Sequence, residues 1–335
     1  MGLNPAGVTI QHLVNAGNAC VDCIIKQNMK QTLVNLLLGL AALFWGASFI
    51  ITKEIFDSEP HITVLHLITF RMVCATAVTL PLLAALRRLE PVRRGDLKWF
   101  LLLAFAEPFL YSFCETSGVQ RVSGSLSAVI VATIPFFVAL ANAAVYRERL
   151  HSAVLCGVLL SVGGIGLLVQ GNGALAASPE TLRSGVAYLA AAVAIAVVYT
   201  LVLVRVADRY RAVTITAWQN LFGLCYFLPV MLLHDGATLP LITYSPRLIL
   251  LVLALGILCS TVAYIFYNHG VQHLGATAAC VYTNFIPIFS FLTAIAIGQE
   301  HFSWQRLAGI ALVIAGATLA QLPERPKRSG PSRNQ

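Results

Sequence analysis

The sequence is short of charge and lacks the common enzyme motifs. Only 11% of its 335 residues are Asp, Glu, Lys or Arg, about half the share of a soluble globular domain. It contains no H-E-x-x-H, no G-x-S-x-G and no Walker loop. A lone C-x-x-C, Cys20 and Cys23, has no second pair to complete a metal site. We therefore expect no enzyme activity, no catalytic residue, no metal and no cofactor.

In place of charge the chain has long apolar runs. Hydrophobic residues make up 58% of the sequence, and the mean hydropathy is +0.79. A helix needs about 20 apolar residues to cross the hydrocarbon core of a bilayer, and runs without in/out alternation exclude barrel strands. The sequence thus predicts an all-α integral membrane protein with ten transmembrane helices, at 33–52, 63–86, 97–117, 124–146, 153–170, 185–204, 213–233, 247–268, 276–298 and 304–321.

The basic residues indicate orientation. The net charge of +8 does not predict a nucleic-acid partner, because Lys and Arg form short clusters between the apolar runs. Such clusters mark the cytoplasmic side of a membrane. With the N-terminus inside, 16 of the 22 basic residues fall on that side, five fall outside, and Arg71 lies within a span. We predict two cytoplasmic termini and a multi-pass protein of the cell inner membrane, in contact with its lipid.

The two halves of the chain resemble each other. A shift of 152 positions pairs residues 118–120 with 270–272 and Pro135 with Pro287. Matches of this kind point to an internal repeat. Five spans per repeat is an odd number, so the second copy enters the membrane from the opposite side, an inverted topology associated with alternating access. Further pairs at the same shift are Phe137 with Phe289, Glu148 with Glu300, Gly157 with Gly309 and Gly164 with Gly316.

The repeat divides the chain into five parts. Residues 31–170 form the first repeat, 171–184 an external linker, 185–322 the second repeat and 323–335 a basic cytoplasmic tail. Residues 1–30 form an N-terminal extension of mixed polarity. Because Met29 leads directly into the first apolar run, we predict either that Met29 is the natural start or that residues 1–28 are dispensable.

The second half contains a set of motif residues at 264–279, 284–287, 298–300 and 307–316. In these residues it resembles the EamA-type drug/metabolite transporters. The resemblance extends over about 31–322 and implies a ten-helix fold, a central cavity between repeats and, commonly, export of small metabolites; it implies no single substrate. Asn142 and the Glu107-Pro108 pair within the third segment depart from the pattern. The first half shows the resemblance more loosely, in Trp45, Gly46, Phe70, Arg71, Pro135, Glu148 and Gly157.

Two ionisable residues lie near the middle of predicted spans. Glu107 is about ten residues into the third segment, and Arg71 is at a similar depth in the second. Charges at this depth are costly and call for a reason. Three interpretations remain open: an Arg71–Glu107 pair that holds a substrate group, the same pair as a purely structural lock, or an unpaired Glu107 that carries a coupling proton.

Prolines and polar aromatic residues complete the candidate site. Pro108, Pro135 and Pro287 each remove a helical hydrogen bond, and we predict kinks that act as hinges or line a cavity, with packing kinks as the alternative. Aromatic rings bind flat or cationic ligands; helix packing is the alternative role. With Arg71 and Glu107, the predicted cavity residues are Trp45, Ser48, Tyr111, Tyr199, Gln219, Asn220, Tyr264, Tyr267 and Asn284.

These features together predict a secondary transporter. Without a Walker loop, transport runs on a gradient, and the partners are a small-molecule substrate and, in one hypothesis, a coupling proton. The specific prediction is export of amino acids or related metabolites by alternating access. A membrane-embedded enzyme or a carrier of lipid-linked substrates is the alternative. Small faces on the fifth and tenth segments, around Gly164 and Gly316, predict close helix packing, within the fold or in a homodimer.

Overall fold

In the computed structural model, residues 5–146, 156–157, 159–160, 163–165, 167 and 178–319 are described. Throughout these residues the regular structure is helical, and no strand occurs among them. Seven helices are long and apolar enough to cross a membrane, and two shorter apolar helices cover Gly124–Val138 and Trp304–Gly316. The seven are Gln31–Ser58, Val64–Ala85, Leu97–Arg121, Pro179–Ala207, Ala212–His234, Pro246–Leu274 and Ala278–Ala296.

The helices lie at the predicted apolar runs, and short segments of other helix types separate some of them. Two π-helical segments, Phe105–Leu110 and Leu255–Val262, and two 3₁₀ segments, Gly236–Leu241 and Tyr282–Phe285, lie between α-helices. The α-helices are α1 (Pro5–Ser58), α2 (Val64–Ala85), α3 (Leu97–Ala104), α4 (Tyr111–Arg121), α5 (Gly124–Val131), α6 (Ile134–Tyr146), α7 (Pro179–Ala207), α8 (Ala212–His234), α9 (Pro246–Ala254), α10 (Ala263–Leu274), α11 (Ala276–Val281), α12 (Ile286–Ala296) and α13 (Trp304–Leu319).

Hydroxyl side chains determine where several helices start. Thr63, Ser123, Ser178 and Ser245 each accept a hydrogen bond from a backbone N–H of the first turn that has no partner within the helix. At α7 this cap places the start at Pro179, six residues before the predicted position 185. Pro179 fits there because the first helical turn needs no N–H donor. The last residues of the predicted external linker are therefore helical.

The protein is apolar on its outside and polar in parts of its interior. Leu233, Leu250 and Leu36 are 83%, 67% and 59% exposed, while Glu107 and Asn268 are buried. In water such a leucine surface would be an aggregation site. In a bilayer the hydrocarbon chains cover it, and the interior provides the partners that lipid cannot.

The three segments that contain the singled-out prolines are all interrupted. Glu107, next to Pro108, has φ −139° and ψ 119°, which is not helical. The fourth segment breaks between α5 and α6, and Pro135 is the second residue of α6. In the ninth segment a 3₁₀ turn separates α11 from α12, and Pro287 is likewise in the first turn of α12. The matching breaks place helix ends beside the interior of the protein.

Parts of the sequence-based picture lie outside the described residues. These are the linker 171–177, Glu148, the tail 323–335, most of the segment 153–170, and the side chains of residues 1–30 and Asn142. The ten-helix count, the inverted repeat and the placement of the termini therefore stay predictions. One small face can be located: a β-carbon built on Gly164 would lie 2.6 Å from the carbonyl oxygen of Gly309. At this point the small faces pack against each other within the fold.

Polar networks join the two halves of the chain at both ends of α2. At the end formed by residues 86–96, the buried Asp96 accepts hydrogen bonds from Arg209 (2.8 Å) and Tyr210 (2.9 Å), and Glu90 pairs with Arg211 (3.4 Å). At the opposite end, Thr63 donates to Asp235 and Arg247 pairs with Glu54, both at 2.5 Å. The two halves thus hold a shared interior between them.

Candidate functional site

A central cavity lies between the two halves. It encloses about 720 Å³ of space free of protein atoms, part of which is its open mouth. Helices α1, α2, α4, α7 and α10, the π-helical segment Phe105–Leu110 and the interrupted fourth and ninth segments surround it. Its lining residues are Trp45, Ser48, Phe49, Arg71, Glu107, Tyr111, Ser112, Glu115, Val131, Ile134, Ala196, Tyr199, Thr200, Tyr264, Tyr267, Cys280, Thr283 and Ile286.

The break at Glu107 and Pro108 turns the third segment toward this cavity. Proline has no N–H and cannot continue the helical ladder, so local carbonyl groups need other partners. Gln219 of α8 donates from its Nε2 to the Glu107 backbone oxygen at 3.1 Å. The Pro108 ring lies against Gly223, where a β-carbon would overlap Pro108 Cγ. The break is therefore held by the second half of the chain.

The Glu107 carboxylate has one strong partner and one free oxygen. The side chain is 4% exposed. Its Oε1 accepts hydrogen bonds from the Tyr264 hydroxyl at 2.5 Å and from Ser112 Oγ at 3.4 Å, whereas Oε2 is buried without a hydrogen-bond partner among the described residues. A buried acceptor without a partner is costly, and a ligand N–H would satisfy it.

Arg71 lies in the same cavity but does not pair with Glu107. Its Nε and Nη2 donate to Ser260 Oγ at 3.3 and 3.2 Å. Within the described part of the chain the Arg71 guanidinium has no carboxylate within 4.0 Å, so the predicted direct Arg71–Glu107 ion pair is wrong for this conformation. The reason is that the second half supplies a closer partner to each: Ser260 to Arg71 and Tyr264 to Glu107. The other guanidinium N–H groups have no hydrogen-bond acceptor among the described residues and can donate to an anion.

A second carboxylate, Glu115, was missed in the sequence. It lines the cavity on α4, and the Tyr111 hydroxyl donates to its Oε1 at 3.3 Å. The signal was present, because Glu107, Tyr111 and Glu115 are spaced by four and would lie on one helical face. Glu115 was overlooked because it stands near the end of the predicted span.

Aromatic rings form much of the wall. The Trp45 ring meets Tyr264 edge-on at 5.1 Å between centroids and lies 5.3 Å from Tyr267. The indole N–H donates to the carbonyl of Cys259 at 3.2 Å, which fixes the ring. Ser48 Oγ donates to the carbonyl of Trp45. These contacts leave ring faces and edges around the charged groups, an environment that suits a cationic ligand.

Two predicted residues line a smaller adjoining cavity. Gln219 and Asn220 border a space of about 270 Å³ that shares Arg71, Glu107, Ser112 and Tyr264 with the central cavity. Asn220 Nδ2 donates to Thr261 Oγ1 at 3.4 Å. The smaller cavity and the central cavity thus meet at the Glu107–Tyr264 hydrogen bond.

The remaining candidates are placed differently. Tyr199 lines the central cavity, where its hydroxyl donates to Asn268 at 3.4 Å. Asn284 borders neither cavity; it is 2% exposed, and its amide has no hydrogen-bond partner among the residues described. The 3₁₀ turn before Pro287 directs Thr283, not Asn284, into the cavity. Pro135 and Pro287 each follow a lining isoleucine.

The arrangement is suited to binding, since it offers one guanidinium, two carboxylates and tyrosine hydroxyls around a space of small-molecule size. Arginine is the side chain best shaped to hold a carboxylate. A carboxylate with a free oxygen beside aromatic rings can hold an ammonium group. Over the described residues, no group of three His, Cys, Asp or Glu side chains is placed to hold a metal ion.

Several known proteins are similar to this chain in sequence or in fold. The model of the EamA-like transporter family matches twice, over residues 32–170 and 183–321. The uncharacterized transporter YetK of Bacillus subtilis is 26% identical over 292 residues, which are 86% of each chain. The probable amino-acid metabolite efflux pump of Salmonella typhimurium is 23% identical over 282 residues, covering 83% of this chain and 91% of that protein.

A solved crystal structure of a protein 21% identical in sequence matches the fold. The TM-score is 0.63, with 85% of this chain and 94% of that chain covered. The seven long apolar helices and the two family matches show that the chain is a multi-pass membrane protein and a transporter, not an enzyme. The chain belongs to the EamA-like transporter family and contains two copies of its domain.

Proposed function

We propose that this transporter exports amino acids or related small metabolites across the inner membrane. The observation that carries the proposal is the central cavity, in which Arg71 can hold a carboxylate and Glu107 can hold an ammonium group. The relative named as an amino-acid metabolite efflux pump agrees with this substrate class. Since the sequence has no Walker loop, the energy comes from a gradient.

The transport cycle we propose is alternating access between the two halves. Ten helices in two inverted repeats, with both termini cytoplasmic, would place the cavity at the pseudo-twofold axis where such transporters bind substrate. The interrupted helices at Pro108, Pro135 and Pro287 support this proposal, because each gives the cavity wall a point at which the backbone can bend. Reporter fusions after residue 30 and after residue 322 test the orientation, and activity on the outer side would contradict it.

Substrate binding is tested with the full chain purified in detergent. A ligand that binds the folded state raises its apparent stability in proportion to occupancy. Screening a panel of amino acids by thermal unfolding should give at least one stabilising compound, and Glu107→Gln should abolish its effect. Glu90→Gln, far from the cavity at the 86–96 end, is the matched control and should keep the response. An amino-acid panel without any stabilising member would contradict the proposed substrate class.

Export and coupling are tested in proteoliposomes. Counterflow of the identified ligand should depend on Glu107 and not on Glu90. Glu107 is also the candidate carrier of a coupling proton, because one of its oxygens is buried without a partner. If it carries the proton, an imposed pH gradient should accelerate transport by the wild type and not by Glu107→Gln. A gradient without effect on the wild type would rule out the proton and leave the transporter proposal intact.

A further inference from the structure

The charges of the cavity do not balance. Among its described lining residues, the groups charged at neutral pH in water are Arg71, Glu107 and Glu115, one cation and two anions. All three side chains line this one cavity. A charge without a counter-charge is expensive inside a membrane protein. A zwitterionic amino acid adds one charge of each sign and therefore leaves the excess negative charge in place.

The free atoms of the site show where a ligand charge can bind. Glu107 Oε2 is buried and has no partner among the described residues. Arg71 is 7% exposed, and among the described residues its Nε and Nη2 both donate to Ser260, so its remaining N–H groups can donate to a carboxylate. These two residues suffice for the carboxylate and the α-ammonium group of one amino acid. Glu115 is then left over.

Glu115 has the surroundings of a second ammonium site. It lies on α4, one helical turn beyond Tyr111, whereas Glu107 lies at the break that precedes α4. The Tyr111 hydroxyl binds one carboxylate oxygen and leaves the other to a ligand. The aromatic side chains of the same chamber favour an organic cation over an inorganic one.

We propose that the substrate is a dibasic amino acid, an α-amino acid with a second amino group at the end of its side chain, such as lysine or ornithine. Its carboxylate binds Arg71, its α-ammonium binds Glu107, and its side-chain ammonium binds Glu115. The net charge of +1 on the ligand then cancels the −1 of the cavity. This inference rests on the proposed function and narrows its substrate class.

The assignment requires a defined separation between the two carboxylates. The two nitrogen atoms of an extended lysine are about 7 Å apart from bond lengths near 1.5 Å. Two charge-assisted hydrogen bonds of about 2.8 Å bring the span between the two bound carboxylate oxygens to about 13 Å. A diamine without a carboxylate would leave the Arg71 guanidinium without an anion. A neutral amino acid would leave Glu115 without a cation, unless a proton neutralised it.

The test uses lysine and three compounds that each lack one charged group. Norleucine lacks the side-chain amine, 6-aminohexanoate the α-amine and cadaverine the carboxylate. Dissociation constants are measured by calorimetry on the purified full chain, with unfolding temperature as a second readout. Lysine should bind most tightly, and each missing group should weaken binding by roughly tenfold or more, the effect of losing one charge-assisted hydrogen bond.

Variants of the two carboxylates show which ammonium group of the ligand each carboxylate binds. Glu115→Gln should weaken lysine roughly tenfold and leave norleucine unchanged, whereas Glu107→Gln should weaken both. Glu90→Gln is the matched control and should bind all four compounds like the wild type. Because the comparison of lysine with norleucine is made first on the wild type, it does not depend on whether a variant folds.

The outcomes separate this inference from the proposed function. Norleucine that binds as tightly as lysine, with proton uptake in a weakly buffered solution, would show that a proton supplies the missing charge; the dibasic substrate would be wrong and the amino-acid transporter would stand. Cadaverine that binds as tightly as lysine would also overturn the inference, because Arg71 would have no role. If no amino acid of any charge binds or is transported, both proposals fail together.

Discussion

The contact between Gly223 and Pro108 gives the sharpest test of the described packing. A β-carbon at position 223 would overlap Pro108 Cγ and lie 3.1 Å from Pro108 Cδ and 3.3 Å from Met72 Sδ. Overpacking of this kind costs about 1–3 kcal/mol, and the rigid ring places Gly223→Ala near the upper limit. Alanine in a helix returns about 1 kcal/mol relative to glycine. We therefore expect Gly223→Ala to lower the free energy of unfolding by about 2 kcal/mol.

Gly39 of α1 is the matched control. A β-carbon there meets no atom within 4 Å, so Gly39→Ala should be neutral or stabilise the protein by up to about 1 kcal/mol. Unfolding by a denaturing detergent in mixed micelles measures both variants. The cause is isolated by a double-mutant cycle, in which Gly223→Ala should lose most of its cost when Pro108 is already alanine. Equal effects at positions 39 and 223, or an unchanged cost without the proline ring, would refute the reasoning.

Other predictions concern single hydrogen-bonding groups. Tyr264→Phe removes the short hydrogen bond to Glu107 and should lower stability by about 1–3 kcal/mol and reduce transport; unchanged transport in proteoliposomes would contradict a role for this bond. Burial, and then the adjacent Asp96 carboxylate, raise the pKa of Tyr210 above its usual 10. The resulting stabilisation is complete at neutral pH and is lost as the pH rises from 10 through the raised pKa of Tyr210. In Asp96→Asn that pKa is less raised, so the loss should be complete at a lower pH, measured by alkaline unfolding with tyrosinate absorbance. Asn284→Ala should change neither ligand affinity nor stability by more than about 1 kcal/mol, because the buried amide has no described partner whose loss would cost energy. A large loss of affinity, measured by calorimetry, would show that Asn284 does contribute to the binding site.

The sequence was sufficient for features that depend on one segment at a time. Apolar length decides where a chain can cross hydrocarbon, so the described helices follow the predicted runs closely. The start of α7 was predicted late because its first turn, between Ser178 and Arg183, is polar and is specified by a cap instead of by hydropathy. A helix start of this kind cannot be predicted from hydropathy alone.

Features that depend on several helices were only partly predictable. Residue type indicated which side chains are polar enough to need an interior position, and many of them do surround the central cavity. Their partners were not predictable, because the rotation of each helix about its axis is set by packing against helices distant in sequence. Arg71 therefore binds Ser260, 189 residues away, and Asn284 lines neither cavity.

In each described ion pair between the halves, the first half supplies the carboxylate and the second half supplies the arginine. Among the described residues, Glu54, Glu90 and Asp96 of the first half pair with Arg247, Arg211 and Arg209 of the second. At the 152-residue shift, Arg209 and Arg211 correspond to Asp57 and Glu59 in the first half. Two first halves that assembled with each other would bring Asp57 and Glu59 against Asp96 and Glu90, and like charges would repel. The first half therefore cannot replace the second in an assembly that keeps these contacts.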